Sequence, residues 1–321
     1  MNKTSKVFVA GHGGMVGSAI MRRLAHNGYE NIITVSHREL DLTNQSRVVK
    51  FFRSKRPDVV IDCAAKVGGI HANNTYRADF IYNNLQIQNN LIHTSYEFEV
   101  KKLLFLGSSC IYPKFADQPI KEEYLLASPL ESTNEPYSVS KIAGIKMCES
   151  YYKQYKCDFI SVMPCNQYGP NDNFHPKNSH VLPALLRRFH EAKANNETNV
   201  EVWGTGKARR EFLHVDDLAS ACVFLLEDVS SSVIYKKNIS HLNIGSGEEI
   251  SIANLAKLIA KIVGYDGRIS FQLDKPDGTL RKLMDVSRIK KLGWEPKFSL
   301  ESGLTQTYNW YKENEAQIRS F

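Results

Sequence analysis

The first half of the chain alternates short β-branched and apolar runs with longer stretches whose apolar positions recur at helical spacing. This alternation is typical of βαβ units around a parallel sheet. The predicted strands are Lys6–Ala10, Asn31–Val35, Asp58–Cys63, Lys102–Leu106 and Phe159–Met163. The predicted helices of this half are Met15–His26, Gln45–Ser54, Phe80–Phe98 and Ser138–Tyr155.

The pattern changes after about Pro170, where residues 171–179 are rich in Asn, His and Pro and resemble a loop. Further helices are predicted at Leu182–Ala194, Ile252–Val263 and Leu300–Glu313. The fold class we expect is α/β, with a Rossmann-type doubly wound parallel sheet in residues 1–170. A smaller C-terminal α/β substrate-binding domain is expected mainly in residues 171–321, with segments near 212–245 packing back on the first domain.

Composition narrows the function class. The chain has 321 residues, of which 42% are hydrophobic, enough for a full core. It contains no uninterrupted apolar stretch of about 18 residues, so we expect no membrane span. Residues 1–10 lack an apolar core followed by a small-residue cleavage site, so we also expect no secretory signal. The six cysteines show no CxxC pair or zinc-site spacing, which favours a reducing cytoplasm and no metal. The net charge of +7 is dispersed, which favours anionic small molecules over nucleic acid as partners.

A glycine-rich turn follows the first predicted strand and opens the first predicted helix. Gly11, Gly14 and Gly17 suit a tight turn, close approach of a pyrophosphate and close helix–strand packing. The helix N-terminus then favours the phosphate charge. We therefore predict a dinucleotide site, whose remaining turn residues are His12, Gly13, Met15 and Val16.

The end of the second strand discriminates between NAD and NADP. An acidic residue there would bind the ribose 2′-hydroxyl, but this chain has Ser36-His37-Arg38. Arg38, with His37, suits a 2′-phosphate through charge-assisted hydrogen bonds, although a solvated surface arginine is the alternative. Asp41 and Leu42 suit the adenine side of the pocket.

A serine, a tyrosine and a lysine indicate carbonyl chemistry. Tyr137 and Lys141 are four residues apart and share a helix face, although this spacing also arises by chance. A neighbouring ammonium favours a phenolate, so Lys141 is expected to lower the pKa of Tyr137. Ser108 follows a predicted parallel strand and suits a hydrogen bond to a substrate oxygen. Together with the glycine turn, these residues indicate a short-chain dehydrogenase site.

Cys110 and His180 suggest a second reaction. A 4-keto sugar has acidic hydrogens on both carbons next to the ketone, and a thiolate and an imidazole are able to remove and return them. The alternatives are a buried cysteine that acts as a small hydrophobe and a structural or solvated histidine.

Longer motifs resemble the GDP-L-fucose synthases, bifunctional 3,5-epimerases and 4-reductases among the extended short-chain dehydrogenases. The similarity runs nearly from end to end. The motifs are Ala64-Ala65-Lys66-Val67-Gly68-Gly69-Ile70, Gly107-Ser108-Ser109-Cys110-Ile111-Tyr112-Pro113-Lys114, Asn134-Glu135-Pro136-Tyr137, Asp172-Asn173-Phe174-His175-Pro176, Asn178-Ser179-His180-Val181, Arg210-Glu211-Phe212-Leu213-His214-Val215-Asp216-Asp217 and Lys275-Pro276-Asp277-Gly278-Thr279.

The resemblance implies NADPH as cofactor, a homodimer, and a GDP-4-keto sugar as substrate. It implies that Ser108, Tyr137 and Lys141 form the reductive triad and that Cys110 and His180 are the epimerisation base and acid. The positions that match the GDP-sugar site are Arg188, Trp203, Arg210, Asp277 and Lys282. Further cofactor contacts are expected from Leu106, Gly107, Ser109, Lys141, Pro164, Asn166, Gln167 and His180.

Departures from the family pattern keep alternatives open. Gly13 and His37 stand where basic residues are expected, which weakens the preference for NADP. Cys165 and Gln167 stand where Thr and Leu are usual, and Gln167 suits a hydroxyl that a 6-deoxyhexose lacks. A related GDP-4-keto sugar, for instance a GDP-heptose of a bacterial surface polysaccharide, is therefore the alternative candidate substrate. The alternative functions are a 4-reductase without epimerisation and, less favoured, a nucleotide-sugar 4,6-dehydratase or a non-catalytic NADP-binding regulator.

Overall fold

The computed structural model describes residues 1–176, 179–275 and 277–318. Asn178 and Pro276, which belong to two of the motifs above, lie outside these ranges. Within them the strands are β1 Val7–Ala10, β2 Ile32–Ile33, β3 Val59–Asp62, β4 Lys102–Leu106, β5 Phe159–Pro164, β6 Asn166–Tyr168, β7 Asn199–Trp203, β8 Arg209–His214, β9 Leu242–Ile244, β10 Glu249–Ser251, β11 Arg268–Gln272 and β12 Arg281–Lys282.

The helices frame these strands, and short 3-10 turns occupy 109–111, 122–124 and 315–317. The α-helices are α1 Met15–His26, α2 Gln45–Lys55, α3 Ile70–Thr75, α4 Arg77–Glu97, α5 Glu135–Tyr155, α6 Val181–Ala194, α7 Val215–Asp228, α8 Ser231–Tyr235, α9 Ile252–Val263, α10 Ser287–Leu292 and α11 Leu300–Asn314. None of the helices in the described ranges is long and apolar enough to cross a membrane.

Six strands form one parallel sheet in the order β2-β1-β3-β4-β5-β9. Its strands are short and almost wholly apolar because helices cover both faces: α1 and α7 pack together on one, and α2, α4 and α5 on the other. The chain runs from β1 to β2 and then returns past β1 to β3. This reversal leaves a crevice at the carboxyl ends of β1 and β3, where such sheets bind ligands. The predicted α/β Rossmann-type class is confirmed.

A second hydrophobic core lies in the later part of the chain. β8 pairs with β6, β10 and β12, while β7 pairs with β11. Helix α9 shows why the sequence folds this way: its apolar positions face this core, and the Ser251 hydroxyl accepts a hydrogen bond from the Asn254 amide at its start. Gly264 ends the helix with a φ of +74°.

Some late segments belong to the first core. Helix α7 packs on α1, β9 closes the large sheet, and the stretch containing Met284, Ile289 and Trp294 also joins that core. A return to the first domain was expected for residues near 212–245, and none was expected for the later stretch.

Predicted element bounds differ from the observed ones mainly at ends. The second strand keeps only Ile32–Ile33 of its predicted five residues, because it is an edge strand whose residues are only partly buried. Helix α4 begins three residues before its predicted start and ends one residue earlier. Helix α5 also begins three residues early, since Pro136 is compatible with the first turn of a helix.

Candidate active site

The β1–α1 turn is built around glycines at two positions that the fold itself demands. Gly11 has a φ of +77°, and a Cβ there would lie 2.8 Å from the Ala64 nitrogen. A Cβ on Gly17 would lie 2.2 Å from the Gly11 oxygen. Gly14 differs, because its Cβ would meet that oxygen at an ordinary 3.5 Å.

The start of α1 is suited to an anion. Gly14 occupies the N-cap, and the first turn contains no acidic side chain. The protein itself leaves room for a Cβ at Gly14, so the space in front of this N-cap is open. A close backbone approach at a helix N-terminus without acidic side chains fits the pyrophosphate of a dinucleotide. Of the other predicted cofactor residues, His12 and Gly13 lie in this turn, and Met15 and Val16 form the start of α1.

The segment after β2 leaves a basic residue exposed. Glu39 accepts hydrogen bonds from the Ser36 amide (3.1 Å) and hydroxyl (2.7 Å), and these bonds lower the pKa of Glu39. His37 and Arg38 are solvent-exposed, and no ion pair of Arg38 occurs within the described ranges. The acid of this loop is thus held by Ser36, and the Arg38 guanidinium faces solvent at the end of β2.

The adenine-side candidates are fixed by local hydrogen bonds. Asp41 accepts from the amide (2.9 Å) and hydroxyl (2.8 Å) of Thr43, which lowers the pKa of its carboxyl group. The carbonyl of Leu42 accepts from the Asn90 side chain at 2.8 Å. Both residues therefore hold a defined loop between β2 and α2.

The end of β4 brings Ser108 and Cys110 together. The Ser108 hydroxyl accepts a hydrogen bond from the Cys110 amide at 3.3 Å, and residues 109–111 form a 3-10 turn. The Ser138 hydroxyl, from the first turns of α5, donates to the Cys110 carbonyl at 2.9 Å. Leu106, Gly107 and Ser109 form the rest of this strand end, and all three are buried.

Tyr137 lies next to this strand end. Burial raises the pKa of its phenol, the nearby Cys110 thiol adds to the increase, and a hydrogen bond with Ser108 opposes it. Its ring also contacts Phe80 edge-on, with ring centroids 6.4 Å apart. The structure thus groups Ser108, Cys110 and Tyr137, and it keeps the phenol protonated at neutral pH.

Lys141 points deeper than expected. Its ammonium donates to the Leu106 carbonyl at 2.8 Å and lies 4.7 Å from the centre of the Phe105 ring. Burial lowers the pKa of Lys141, and the Asp62 carboxylate opposes that decrease. We expected Lys141 to lower the pKa of Tyr137. In this structure the pKa of Tyr137 is instead raised, because burial dominates and the ammonium is directed to the end of β4.

His180 and Lys282 reach the same place from the second core. The ammonium of Lys282 lies 4.0 Å from the Cys110 sulfur. His180 is the N-cap residue of α6. It is exposed through the cleft, but enough protein surrounds its imidazole that desolvation lowers its pKa, and Lys282 lowers it further. The cleft therefore joins Cys110, His180 and Lys282.

The other predicted sugar-nucleotide residues surround Lys282. Lys282 on β12 is the register partner of Arg210 on β8. Burial lowers the pKa of both Arg210 and Arg188, so both guanidinium groups are partly removed from water. Arg188, on α6, donates to the carbonyl of Glu201. Lys282 and Arg210 are thus adjacent on neighbouring strands, and Arg188 lies against β7.

Two loops form the outer rim of this group. Trp203 ends β7 and is 60% exposed. Asp277 accepts from both the amide and the hydroxyl of Thr205 at 2.7 Å, which lowers the pKa of Asp277. An exposed indole beside a fixed carboxylate offers a stacking surface and a hydrogen-bond acceptor.

The β5–β6 segment carries the two unusual residues. The Asn166 side chain donates to the carbonyl of Glu211 at 2.8 Å, and Pro164 is the register partner of Ile244. Gln167 donates to the Cys165 carbonyl at 3.2 Å. Its side-chain oxygen is buried and has no hydrogen-bond partner among the described residues. A buried acceptor left open in this way suits a donor from a ligand.

Sequence analysis missed two buried acids near the site. Asp62 ends β3 with 1% of its surface exposed, and an acid that closes an otherwise apolar strand was a signal for it. Glu211 accepts from the amides of Gly247 (2.8 Å) and Met284 (2.9 Å), so it ties β8 to the segment after β12. Burial raises the pKa of Glu211 to about 7.

Comparison with known proteins decides the family. Residues 7–245 match the NAD dependent epimerase/dehydratase family. GDP-L-fucose synthase 1 of Arabidopsis thaliana is 60% identical, and the match covers 98% of this chain and 95% of that protein. GDP-L-fucose synthase of Escherichia coli K12 is 55% identical over 98% of each chain. The chain belongs to the NAD dependent epimerase/dehydratase family, in its GDP-L-fucose synthase group.

A solved structure widens the range of chemistry within this group. MlghC, a GDP-mannoheptose C4 reductase from Campylobacter jejuni with NADP bound, is 42% identical. The two structures superpose with a TM-score of 0.89 over 97% of this chain and 99% of that one. A fucose synthase group member and a heptose reductase therefore share this architecture.

Proposed function

We propose that the protein is an NADPH-dependent enzyme that reduces a GDP-4-keto sugar at C4 and epimerises it at C3, C5 or both. Its substrate would be GDP-4-keto-6-deoxymannose, converted to GDP-L-fucose, or a related GDP-heptose. The observation that carries this proposal is the meeting of Cys110, beside Ser108 and Tyr137, with Lys282 across the cleft at 4.0 Å. The relatives named GDP-L-fucose synthase support the same reaction.

Two units would divide the binding work. Residues 1–170, with the segments near 212–245, would hold NADPH, and residues 171–321 would mainly hold the GDP-sugar. The glycine turn, with the helix N-terminus behind it, suits the pyrophosphate, and exposed Arg38 suits a 2′-phosphate. Arg188, Arg210 and Lys282 suit the substrate diphosphate, and Trp203 suits stacking on a ring.

In the reductive step, Tyr137 would donate the proton to the C4 oxygen. Its raised pKa keeps the hydroxyl protonated at neutral pH, as donation requires. Ser108 would hold the same oxygen by a hydrogen bond while negative charge develops there. Lys141 would orient the cofactor ribose. NADPH, when bound, supplies the hydride.

In the epimerisation step, Cys110 would remove a proton from a carbon next to the ketone. The ketone stabilises the resulting carbanion as an enolate, and His180 would return a proton to the opposite face. As the Cys110 thiolate takes up the proton, the negative charge moves to the enolate, and the ammonium of Lys282, 4.0 Å from the sulfur, would lie beside that charge.

Gln167 favours the second candidate substrate, a heptose. Its buried, unpartnered side-chain oxygen is suited to accept a hydrogen bond from a hydroxyl that a 6-deoxyhexose lacks. A 4-reductase without epimerisation is the alternative activity, and the related C4 reductase supports it. We further propose a cytoplasmic enzyme that supplies surface polysaccharide synthesis.

We also propose that the enzyme is a homodimer paired through α4 and α5. These helices pack on each other and expose large apolar side chains: Tyr82 (61%), Val139 (40%) and Tyr155 (45%). Light scattering coupled to gel filtration would detect the dimer, and Tyr82→Glu would shift it towards monomer. A monomeric wild-type protein at micromolar concentration would refute this part of the proposal.

The test of the proposed activity is NADPH oxidation by purified protein. The two substrates are GDP-4-keto-6-deoxymannose and its heptose counterpart, each with wild type and Gln167→Leu. We expect oxidation with at least one sugar, and we expect Gln167→Leu to shift the preference towards the deoxyhexose. Tight NADPH binding without oxidation by either sugar would contradict the proposal and favour a non-catalytic regulator.

A further inference from the structure

Asp62 is a buried acid whose hydrogen-bonding capacity is half used. It closes β3 at the crevice where the sheet reverses, and its register partners are Ala10 on β1 and Phe105 on β4. One carboxyl oxygen accepts from the Ala64 amide at 3.1 Å. The other, Oδ2, is buried without a hydrogen-bond partner in the described part of the chain. Burying a carboxylate oxygen without a partner lowers the stability of the fold unless a nearby positive charge compensates it.

Lys141, on α5, is a buried cation whose hydrogen-bonding capacity is also only partly used. Only 3% of its surface is exposed, and its ammonium has three donors but one hydrogen-bond acceptor among the described residues, the Leu106 carbonyl. It lies 4.7 Å from the centre of the Phe105 ring, and Phe105 is the neighbour of Asp62 across the β3–β4 pair. The unused carboxyl oxygen and the ammonium thus belong to two buried residues that both neighbour Phe105, and their charges interact without a direct ion pair in the described part of the chain.

We propose that Asp62 is a positioning residue whose carboxylate is the counter-charge that keeps buried Lys141 protonated and directed at the end of β4. The idea rests on the proposed function only for the role of Lys141 at the cofactor. An isolated ammonium in the protein interior tends to lose its proton, whereas a paired one keeps it. Through Lys141, Asp62 would preserve the cation on which the reductive site depends.

The other titratable groups around Asp62 are thiols that stay neutral. Burial raises the pKa of Cys148 on α5 to about 12, and that of Cys63 well above its usual value. Cys222 on α7, next to Cys63, is raised to about 12 for the same reason. Burial raises the pKa of Asp62 itself to about 6, and Lys141 limits this increase. At neutral pH Asp62 is therefore mainly ionised and faces one cation.

The test is an NMR titration of the protein without cofactor or sugar, so its result does not depend on turnover. Lysine 13Cε labelling would follow Lys141, whose signal is assigned by its loss in Lys141→Arg. We expect Asp62→Asn to lower the titration midpoint of Lys141 by roughly one pH unit or more. The matched control is Asp58→Asn. Asp58 directly precedes the same strand, but its carboxylate pairs with Lys101 instead of Lys141. This control should leave Lys141 unmoved.

A reciprocal measurement covers the case in which Asp62→Asn does not fold. In the wild type, 13Cγ-aspartate spectra should show Asp62 titrating near pH 6 and Asp172 near pH 7, the latter identified by its loss in Asp172→Asn. Lys141→Met should raise the midpoint of Asp62 alone. The alkaline limb of the pH profile for NADPH-dependent reduction should also move to lower pH in Asp62→Asn. The proposal is wrong if the titration midpoint of Lys141 is the same with and without the Asp62 charge. It is also wrong if the midpoint of Asp62 does not change in Lys141→Met.

Discussion

The ammonium of Lys282 lies 4.0 Å from the sulfur of Cys110, although the two residues are 172 positions apart. One belongs to the strand beside Arg210, and the other to the turn that ends β4. Lys282 also acts on His180, whose pKa it lowers. A single cation thus faces both residues proposed to carry protons during epimerisation.

Lys282→Met should slow epimerisation more than reduction. A cation at this distance contributes about 1 to 2 kcal/mol to the negative charge that the sulfur and the enolate share in the transition state for proton removal, so roughly a tenfold slower deuterium exchange is expected. The measurement is the ratio of deuterium incorporation to NADPH oxidation at saturating substrate, which separates this effect from weaker diphosphate binding. Lys257→Met, on an exposed position of α9, is the control. Equal slowing of both reactions would contradict the role given to Lys282.

Changing Gly14 to alanine should weaken NADPH binding, whereas changing Gly17 to alanine should destabilise the fold. A Cβ at Gly17 would overlap the Gly11 oxygen, so Gly17→Ala should lower the free energy of unfolding by about 2 kcal/mol or more. A Cβ at Gly14 has room, so Gly14→Ala should unfold like the wild type but bind NADPH roughly tenfold or more weakly. Denaturant unfolding and NADPH titration measure the two effects. If the NADPH affinity is unchanged in Gly14→Ala, the pyrophosphate does not bind against Gly14.

Arg38 should determine the preference for NADPH over NADH. Charge-assisted hydrogen bonds to a 2′-phosphate contribute about 1.5 to 3 kcal/mol, so Arg38→Ala should reduce that preference roughly tenfold to hundredfold. The expected loss is in NADPH affinity, with NADH affinity unchanged. Arg53→Ala, an exposed arginine of α2, is the matched control. An unchanged preference in Arg38→Ala would show that another group binds the phosphate.

Much of this architecture was predictable from the sequence because local signals agreed. Helices α1 and α9 have their predicted bounds, since apolar spacing and flanking glycines or a serine cap mark both ends. The length of the edge strand β2 was overestimated, because β-branched residues are also common in extended loops. The return of Met284 and Trp294 to the first core was not predictable, since it depends on contacts between distant segments.

Site chemistry was less predictable than site composition. Sequence spacing places Tyr137 and Lys141 on one helix face, but the direction of the Lys141 side chain depends on the Leu106 carbonyl and on Asp62. Neither contact has a local signature. The approach of Lys282 to Cys110 is equally non-local, so its influence on the thiol emerges only from the packed structure.

A buried histidine should make the protein sensitive to acid. His241 lies 2.7 Å from the Tyr112 hydroxyl and 3.0 Å from the Ser240 hydroxyl, and burial lowers its pKa to about 3. Because the unfolded chain binds its proton near the ordinary value of about 6.5, the stability contribution is complete above that pH. It is lost progressively as the pH falls towards about 3.

The variant His241→Gln removes this titration and keeps hydrogen-bonding capacity. Wild type should lose about 2 kcal/mol more stability than the variant between pH 6.5 and pH 5, as measured by urea unfolding. His26→Gln, at an exposed position of α1, should follow the wild type. Parallel acid profiles for wild type and His241→Gln would show that other groups control acid unfolding.

The central claim is that one cleft both epimerises and reduces the sugar. The most direct test incubates the enzyme and NADPH with GDP-4-keto-6-deoxymannose and with its heptose counterpart in deuterated water, and locates deuterium in the product by NMR and mass spectrometry. We predict a C4-reduced product with deuterium at C3, C5 or both, and none at these carbons with Cys110→Ser. A wild-type product that is reduced but free of deuterium at both carbons would contradict the claim and leave a 4-reductase.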